Sequence, residues 1–231
     1  MCAEQGADEA TEYPGLQEGE GLSQLEEVRK VEGPLGVHTS YGWEMDPKRI
    51  CFTASRYKFV GKLLEGKKSV LEVGCGDGFF SRIVRQHVGS LTAVDISREY
   101  IGSAFRNTPK SSRWRIWFND WDIMKGPLSP AGGFDAVYSL DVFEHLKDEE
   151  TFLGNLSKCA PVCVVGTPSL ESQVYASEIS KLEHVNCKTK EGLRAAMQRH
   201  FQQVFMFGMN DETLHTGMMA AYLFALGVNA T

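Results

Sequence analysis

The sequence has 231 residues, of which 42% are hydrophobic and 23% charged, a composition typical of a globular protein with a substantial core. Its net charge of −6 argues against a nucleic-acid-binding domain, which would normally be basic. No stretch approaches the ~18 apolar residues of a membrane span, the N-terminus lacks a signal-peptide pattern, and the cysteines lack CxxC spacing, so we expect a cytoplasmic protein with reduced thiols and no membrane partner.

Residues 1–33 differ in composition from the rest of the chain. They contain nine acidic residues and few large apolar side chains. Such a segment cannot bury enough apolar surface to offset the entropy that is lost on ordering. We therefore predict a disordered acidic tail over 1–33 and a single domain over 34–231.

The segment 38–52 mixes aromatic with charged residues, and this pattern predicts an ordered loop or short turn before a helix over 53–64. We interpret the segment as lid-like, with Tyr41 and Trp43 supplying apolar walls above a ligand. The alternative interpretation is that these two aromatic rings seal the edge of the hydrophobic core.

Strands and helices then alternate along the chain. Apolar and β-branched runs predict strands over 69–73, 91–94, 114–118, 134–140 and 162–167. Three- and four-residue apolar spacing predicts helices over 79–88, 97–105, 148–156 and 189–200. This alternation predicts a parallel sheet with helices on both faces. Two last strands, 203–208 and 218–226, follow each other without a helix and predict an antiparallel hairpin at one edge.

The stretch VLEVGCGDGFF places Gly74, Gly76 and Gly78 between the first strand and the following helix. Glycine allows a tight backbone turn and lets a ligand approach without a Cβ atom in the way. Ligands bind at the carboxyl ends of parallel strands, where a helix start also offers free N–H groups. The turn therefore indicates a nucleoside ligand with an anionic end, while its GxGxG spacing argues against a GxGxxG dinucleotide site.

Two acidic positions after the glycine turn extend this hypothesis. Asp95 ends the second strand, where a carboxylate can accept hydrogen bonds from both ribose hydroxyls. In NDWDI, Asp122 can accept a hydrogen bond from an adenine amino group, and Ile123 can pack on the ring. Asp120 is an alternative to Asp122. The pattern indicates an adenosyl site without a pyrophosphate.

The ordered set VLEVGCGDG, LTAVDIS, NDWDI, FDAVYSLDVFEHL and VCVVGTPS resembles the class I S-adenosylmethionine-dependent methyltransferases, over about residues 53–226. It is similar in style to small-molecule O- and N-methyltransferases, including the ubiquinone-pathway enzymes. The resemblance implies an α/β, Rossmann-like fold. The implied sheet is mostly parallel and seven-stranded, in the order 3-2-1-4-5-7-6 with strand 7 antiparallel, and has helices on both faces.

The resemblance also implies S-adenosylmethionine as cofactor. The cofactor-binding positions that it implies are Arg56, Glu72, Gly74, Cys75, Gly76, Gly78, Asp95, Ile96, Asp122, Ile123 and Leu140. Among them, Arg56 would bind the methionine carboxylate, with Arg49 and Lys58 as alternatives. The backbone at Leu140 would contact the amino group, and Glu72 would brace the turn or reach that group through water.

A hydroxyl acceptor needs a base to remove its proton, and two histidines are candidates. His145 follows the fourth strand, and His184 follows the fifth strand in the segment where related enzymes place substrate-facing loops. Each could equally be structural, and His145 could bond to backbone at a helix start. Glu144 could orient either histidine or simply be solvated. We expect no metal site.

The sequence thus predicts a methyltransferase that moves a methyl group to an oxygen or nitrogen of a small-molecule acceptor by in-line displacement. The position after the fourth strand reads SLDVFEHL rather than the Asn/Asp-Pro-Pro-Tyr motif of adenine and glutamine amine methylation. The alternatives are a non-catalytic S-adenosylmethionine-binding module, an NAD-dependent oxidoreductase and, more remotely, an aminopropyl transferase. The oligomeric state is left open.

Overall fold

The computed structural model describes residues 35–108, 115–130, 133–217 and 219–231, with one eight-stranded sheet among them. The predicted acidic tail over 1–33 lies outside the described residues. The strands are β1 (Ser69–Val73), β2 (Ser90–Asp95), β3 (Ile116–Asp120), β4 (Ala136–Leu140), β5 (Val162–Pro168), β6 (Phe201–Asn210), β7 (Thr213–His215) and β8 (Tyr222–Ala230).

The strand order is β3-β2-β1-β4-β5-β8-β6-β7. The first five strands are parallel, and β8 runs antiparallel to both of its neighbours, β5 and β6. The predicted order is therefore confirmed, with β8 in the place of the seventh strand. The short strand β7 pairs antiparallel with the end of β6 and is an addition to the expected sheet.

The helices agree with the predicted alternation, with three differences, of which the first is that the short helix over Glu178–Glu183 was not predicted. They are α1 (Val37–Met45), α2 (Lys48–Leu63), α3 (Ser81–Arg85), α4 (Arg98–Asn107), α5 (Glu149–Cys159), α6 (Glu178–Glu183) and α7 (Lys190–Gln198). The segment 38–52 was expected to be a loop, but it is helical through most of its length. The helix predicted over 79–88 is limited to the five residues of α3.

The central strands are buried and mostly apolar because helices cover both faces of the sheet. All five residues of β4 and four of the five residues of β1 are buried. On one face, α5 and α7 contribute Phe152, Leu156, Leu193 and Met197 to a hydrophobic cluster. On the other face, α2 and α3 pack residues such as Val60 and Val84 against the sheet.

The strand order reverses between β1 and β4, which are neighbours in the sheet. In open α/β sheets this reversal leaves a crevice outside the carboxyl ends of the two strands. The glycine turn follows β1 there, and Asp141 follows β4. The fold therefore brings the chemistry-bearing segments of the sequence to one edge of the sheet.

Helix α1 is attached to the glycine turn through a buried polar contact. The backbone N–H of Thr39 donates to Oδ2 of Asp77 at 2.7 Å, and its hydroxyl donates to Oδ1 at 2.9 Å. A Cβ atom on Gly36 would lie 2.2 Å from the Asp77 carboxyl group, so glycine is needed for this close approach. Asp77 thus couples the position of α1 to the turn.

We expect that Asp77→Ala destabilises the protein by about 2 kcal/mol, since it leaves two buried Thr39 donors without an acceptor. Proteolysis within α1 should also become faster, because the helix loses its attachment. Chemical denaturation and timed proteolysis measure the two effects. Ser40→Ala, which removes an exposed hydrogen bond to the Leu35 carbonyl, is the control. Equal stabilities and equal proteolysis rates of the two variants would contradict the role of Asp77 in holding α1.

Candidate functional site

A cavity of about 590 Å³ opens at the carboxyl ends of β1 and β4, beneath α1 and the first half of α2. The predicted site residues that line it are Arg56, Gly74, Cys75, Gly76, Asp95, Leu140, His145 and His184. Tyr41 also lines it, whereas Trp43 does not. The residues Tyr41 and Trp43 are 59% and 55% exposed, so the alternative that they seal the edge of the core is wrong.

The three glycines of the turn serve different purposes, although all have positive φ angles. A Cβ atom on Gly76 would meet no atom within 4 Å, so this residue leaves open space beside the cavity. A Cβ atom on Gly74 would lie 2.1 Å from Val142, and one on Gly78 would lie 2.5 Å from the Phe118 ring. Gly78 therefore allows close packing and, contrary to the prediction, does not line the cavity.

The carboxylate of Asp95 connects β2 to the glycine turn. Its Oδ2 accepts a hydrogen bond from the Gly76 N–H at 2.9 Å, and its Oδ1 accepts one from the Ser97 N–H at 2.8 Å. Each oxygen retains acceptor capacity, since a carboxylate has about four lone-pair sites. Asp95 can therefore hold the turn and also accept hydrogen bonds from two hydroxyl groups of a ligand.

A second, smaller cavity of about 280 Å³ is lined by residues that follow β2 and β3. Its lining includes Ile96, Asp120, Trp121 and Asp122. Ile96 is 71% exposed there. The predicted contact of Ile123 is wrong, because this side chain is buried in the hydrophobic core.

The two acids of the second cavity have different surroundings. Asp120 forms a 2.8 Å ion pair with Arg98, whereas Oδ1 of Asp122 accepts a hydrogen bond from the Met124 N–H. Trp121 was not predicted as a site residue. Its indole donates to the Gly126 carbonyl at 3.2 Å. An aromatic residue between two candidate acids was the sequence signal that could have identified it.

Glu72 lies below the cavity rather than in its wall. Its Oε1 accepts a 2.8 Å hydrogen bond from the Tyr57 hydroxyl, which ties α2 to β1. Burial raises the pKa of Glu72 to about 7, and Asp95 adds to the increase, while the hydroxyls of Ser81, Tyr57 and Tyr138 oppose it. The geometry favours the bracing role among the two predicted for Glu72.

Arg56 lies on α2 and faces the end of β4. Its Nη1 is 3.1 Å from both carboxylate oxygens of Asp141, and its guanidinium lies 3.8 Å from the centre of the Tyr222 ring. Burial lowers the pKa of Arg56, but Asp141, Tyr222 and Glu144 together more than reverse this effect, so the side chain stays charged. Of the two alternatives, Arg49 lines the cavity and Lys58 does not.

The structure brings His145 and His184 together with a buried carboxylate. Their rings are 5.1 Å apart in an edge-to-face arrangement. Glu144 is 1% exposed, its Oε2 accepts from the Thr167 hydroxyl at 3.1 Å, and its Oε1 is 3.9 Å from Nε2 of His145. Glu144 is therefore not solvated, and the second of its predicted alternatives is wrong.

The ionisation of these three side chains reflects their surroundings. Burial raises the pKa of Glu144 to about 8, with a further contribution from Asp141, while Thr167 and Arg56 oppose the increase. Burial and the neighbouring His145 lower the pKa of His184. The lowered pKa of His184 favours its neutral imidazole, which lies near a buried carboxyl group, and such groups can bind or move a proton.

Residues 45–203 match the family described as a methyltransferase domain. The chain belongs to this family. An uncharacterised methyltransferase of Mycobacterium tuberculosis is 38% identical over 119 residues, covering 48% of this chain and 57% of the relative. A ubiquinone biosynthesis O-methyltransferase of Psychrobacter cryohalolentis is 28% identical over 146 residues, covering 62% and 56%. The methyltransferase chain thus spans somewhat more than half the length of these curated relatives.

Solved structures support the fold of this methyltransferase domain. The N-methyltransferase NodS from Bradyrhizobium japonicum, in complex with S-adenosylhomocysteine, superimposes with a TM-score of 0.59. The match covers 90% of this chain and 97% of NodS at 19% sequence identity, a level that establishes the shared fold. Among the described residues, no helix of the domain combines the length and apolar character needed to cross a bilayer.

We expect Glu72→Gln to remove a pH dependence of stability. Because the folded-state pKa is raised from 4.5 to about 7, the stability linked to this proton is complete below pH 4.5 and is lost as pH rises towards 7. Parent and variant profiles of unfolding free energy should therefore diverge over this interval by up to about 3 kcal/mol. Glu99→Gln, at an exposed acid, should leave the parent profile unchanged, and parallel profiles for Glu72→Gln would contradict the assignment.

Proposed function

We propose that this protein is an S-adenosylmethionine-dependent methyltransferase that acts on a small-molecule acceptor. The observation that carries the proposal is the pairing of Asp95 with Gly76 at the sheet's switch point. Together they offer a carboxylate and an open backbone turn to one cavity. The family assignment supports the activity, and the S-adenosylhomocysteine bound to NodS supports the donor class.

The residues present fit an adenosyl-methionine ligand without a diphosphate. Asp95 would hold the ribose hydroxyls between the two cavities, and Ile96 with Asp122 would bound the adenine in the smaller one. The open space beside Gly76 provides the close backbone approach that such a ligand needs. The bound ligand supplies a methyl group on a sulfonium, a good leaving group for in-line displacement.

The amino-acid end of the ligand would lie between β4 and α2. The backbone at Leu140 and the turn at Gly74 and Cys75 would contact its amino group, and Arg56 or Arg49 would contact its carboxylate. Arg56 already neutralises Asp141, so the ligand carboxylate would share the guanidinium with that residue. Burial raises the pKa of the Cys75 thiol, so this residue contributes shape rather than a nucleophile.

The acceptor would enter on the side of His145 and His184, which also line the larger cavity. We favour an oxygen acceptor over nitrogen, because a hydroxyl must lose its proton and this cluster can act on that proton, whereas an amine need only arrive neutral. The name of the Psychrobacter relative as an O-methyltransferase agrees with this choice. Much of the remaining catalysis would come from alignment and exclusion of water.

A cytoplasmic location is part of the proposal. The described cysteines, Cys51, Cys75, Cys159, Cys163 and Cys187, are all free thiols. Free thiols are the usual state in a reducing compartment. The net charge of −6 likewise favours a small acceptor over a nucleic acid.

We expect Asp95→Ala to weaken S-adenosylmethionine binding at least tenfold, since two hydrogen bonds from ribose to a charged acceptor are lost. Isothermal titration calorimetry measures the affinity, and circular dichroism checks that the variant is folded. Glu99→Ala removes the same charge at an exposed position of α4 and should bind like the parent. An unchanged affinity in Asp95→Ala would contradict the ribose assignment.

A turnover assay distinguishes an enzyme from a binding module. Purified protein is incubated with S-adenosylmethionine and panels of hydroxy-aromatics, sugars and amines, and the formation of S-adenosylhomocysteine is measured. Turnover with a hydroxyl panel supports the proposal, and turnover confined to amines would overturn the choice of oxygen. Tight NAD(H) binding without S-adenosylmethionine binding would overturn the function itself.

A further inference from the structure

Tyr222 lies at the start of β8, beneath the part of the larger cavity that is lined by Arg56 and Asp141. It pairs with Pro168 at the carboxyl end of β5 and is 2% exposed. Tyr222 does not itself line the cavity. It therefore acts on a bound ligand only through the groups above it.

The ring of Tyr222 supports the guanidinium of Arg56. The guanidinium carbon lies 3.8 Å from the ring centre, and a cation in this position is attracted by the face of the ring. Within the part of the chain that the structure describes, this side chain donates hydrogen bonds only through Nη1, to the two oxygens of Asp141. Arginine has five N–H donors, so Nε and Nη2 keep donors for a ligand carboxylate.

The hydroxyl of Tyr222 is buried and has no hydrogen-bond partner among the described residues. A buried hydroxyl in this state costs free energy, because it has lost its hydrogen bonds to water. Gly166 leaves room for it, since a Cβ atom there would lie 2.8 Å from the hydroxyl oxygen. Burial and the neighbouring Asp141 raise the pKa of Tyr222 well above its usual value, so the hydroxyl keeps its proton. It is therefore a hydrogen-bond donor that needs an acceptor.

The carboxylate of Asp141 is the acceptor that the surroundings of Tyr222 favour. Among the neighbouring charges, Asp141 has the largest effect on the pKa of Tyr222. Its backbone N–H donates to the Gly166 carbonyl at 3.0 Å, which fixes Asp141 beside the residue that makes room for the hydroxyl. Arg56 neutralises Asp141 in the structure. A ligand carboxylate on Arg56 would weaken this pairing, because one guanidinium would then face two acids.

We propose that Tyr222 is a positioning residue for the amino-acid end of the methyl donor. Its ring holds Arg56 for the methionine carboxylate, and its hydroxyl donates a hydrogen bond to Asp141 when that carboxylate shares the guanidinium. Asp141 thus stays paired while two carboxylates use one arginine. The inference rests on the proposed function, because it assigns Tyr222 to the site of S-adenosylmethionine.

Two ligands that differ at the amino-acid end test this role without turnover. S-adenosylhomocysteine carries the carboxylate, whereas methylthioadenosine keeps the adenosyl group and the sulfur but lacks the amino acid. We expect Tyr222→Phe to weaken S-adenosylhomocysteine binding about fivefold, since one hydrogen bond to a charged acceptor is lost, and to leave methylthioadenosine binding unchanged. Isothermal titration calorimetry measures both affinities. Tyr175→Phe, the same change at a residue that is 91% exposed, should bind both ligands like the parent.

The stability of the ligand-free variant distinguishes positioning from support of the fold. Because the hydroxyl has no partner among the described residues, its removal in Tyr222→Phe should leave the midpoint of chemical denaturation unchanged or raise it. A lower midpoint together with equal weakening of both ligands overturns the proposal. Tyr222→Leu, checked for folding by circular dichroism, also removes the ring and should bind S-adenosylhomocysteine more weakly than Tyr222→Phe does. Equal affinities of these two variants overturn the role of the ring.

A double-mutant cycle tests whether the hydroxyl acts through Asp141. Asp141→Ala removes the proposed acceptor. In this background, Tyr222→Phe should change the affinity for S-adenosylhomocysteine by less than about twofold, because the two residues act as a pair. Equal losses in the parent and in the Asp141→Ala background overturn the proposed hydrogen bond.

The same titrations separate this inference from the proposed function. If the parent and Tyr222→Phe bind S-adenosylhomocysteine with equal affinity, the role of Tyr222 is overturned and the methyltransferase proposal stands. If the folded parent binds neither ligand, both the proposed function and the role of Tyr222 are overturned.

Discussion

The candidate site depends on the hydrogen bonds that the carboxylate of Asp95 accepts. It accepts the backbone N–H groups of Gly76 and Ser97, and it therefore fixes both the turn after β1 and the start of α4. Charge-assisted hydrogen bonds of this kind are about twice as strong as neutral ones. Because the same carboxylate faces the cavity, the group that shapes the turn can also receive a ligand's hydroxyls. A change to Asp95 therefore alters both the shape of the glycine turn and the binding of a ligand's hydroxyls.

The opposite end of the cavity is organised by a balance of buried charges. Asp141 and Glu144 place two acids close to one permanent cation, Arg56, which is itself stacked on the Tyr222 ring. Burying a second carboxylate without a counter-charge is costly, so it is either protonated or paired. The raised pKa of Glu144 corresponds to the first of these outcomes, and the ion pair of Asp141 with Arg56 corresponds to the second.

Much of the fold could be predicted because the pattern of apolar residues in each strand reflects whether its two faces are buried. Strands β1 and β4 are buried on both faces and are therefore mostly apolar, whatever lies elsewhere in the chain. Helix α1 could not be predicted in this way. Its sequence has little helical periodicity, and it is positioned by the contact of Thr39 with Asp77, a residue far along the chain. Local patterns carry no information about such a contact, so a loop was expected there.

Within the candidate site, too, some features follow from local sequence and others depend on contacts between distant parts of the chain. Gly76 lies in the turn after β1 and Asp95 ends the neighbouring strand β2, so the sheet topology brings them together, and sequence spacing was sufficient to find them. The proximity of His145 to His184 depends on how the segment after β5 folds back over the turn after β4, where the Asn186 N–H donates to the Glu144 carbonyl. Two base candidates could be named from the sequence, but not the cluster they form. Because the proposed donor end is built from strand ends and the proposed acceptor end from this returning segment, we expect changes in the segment to alter acceptor choice while the donor site stays intact.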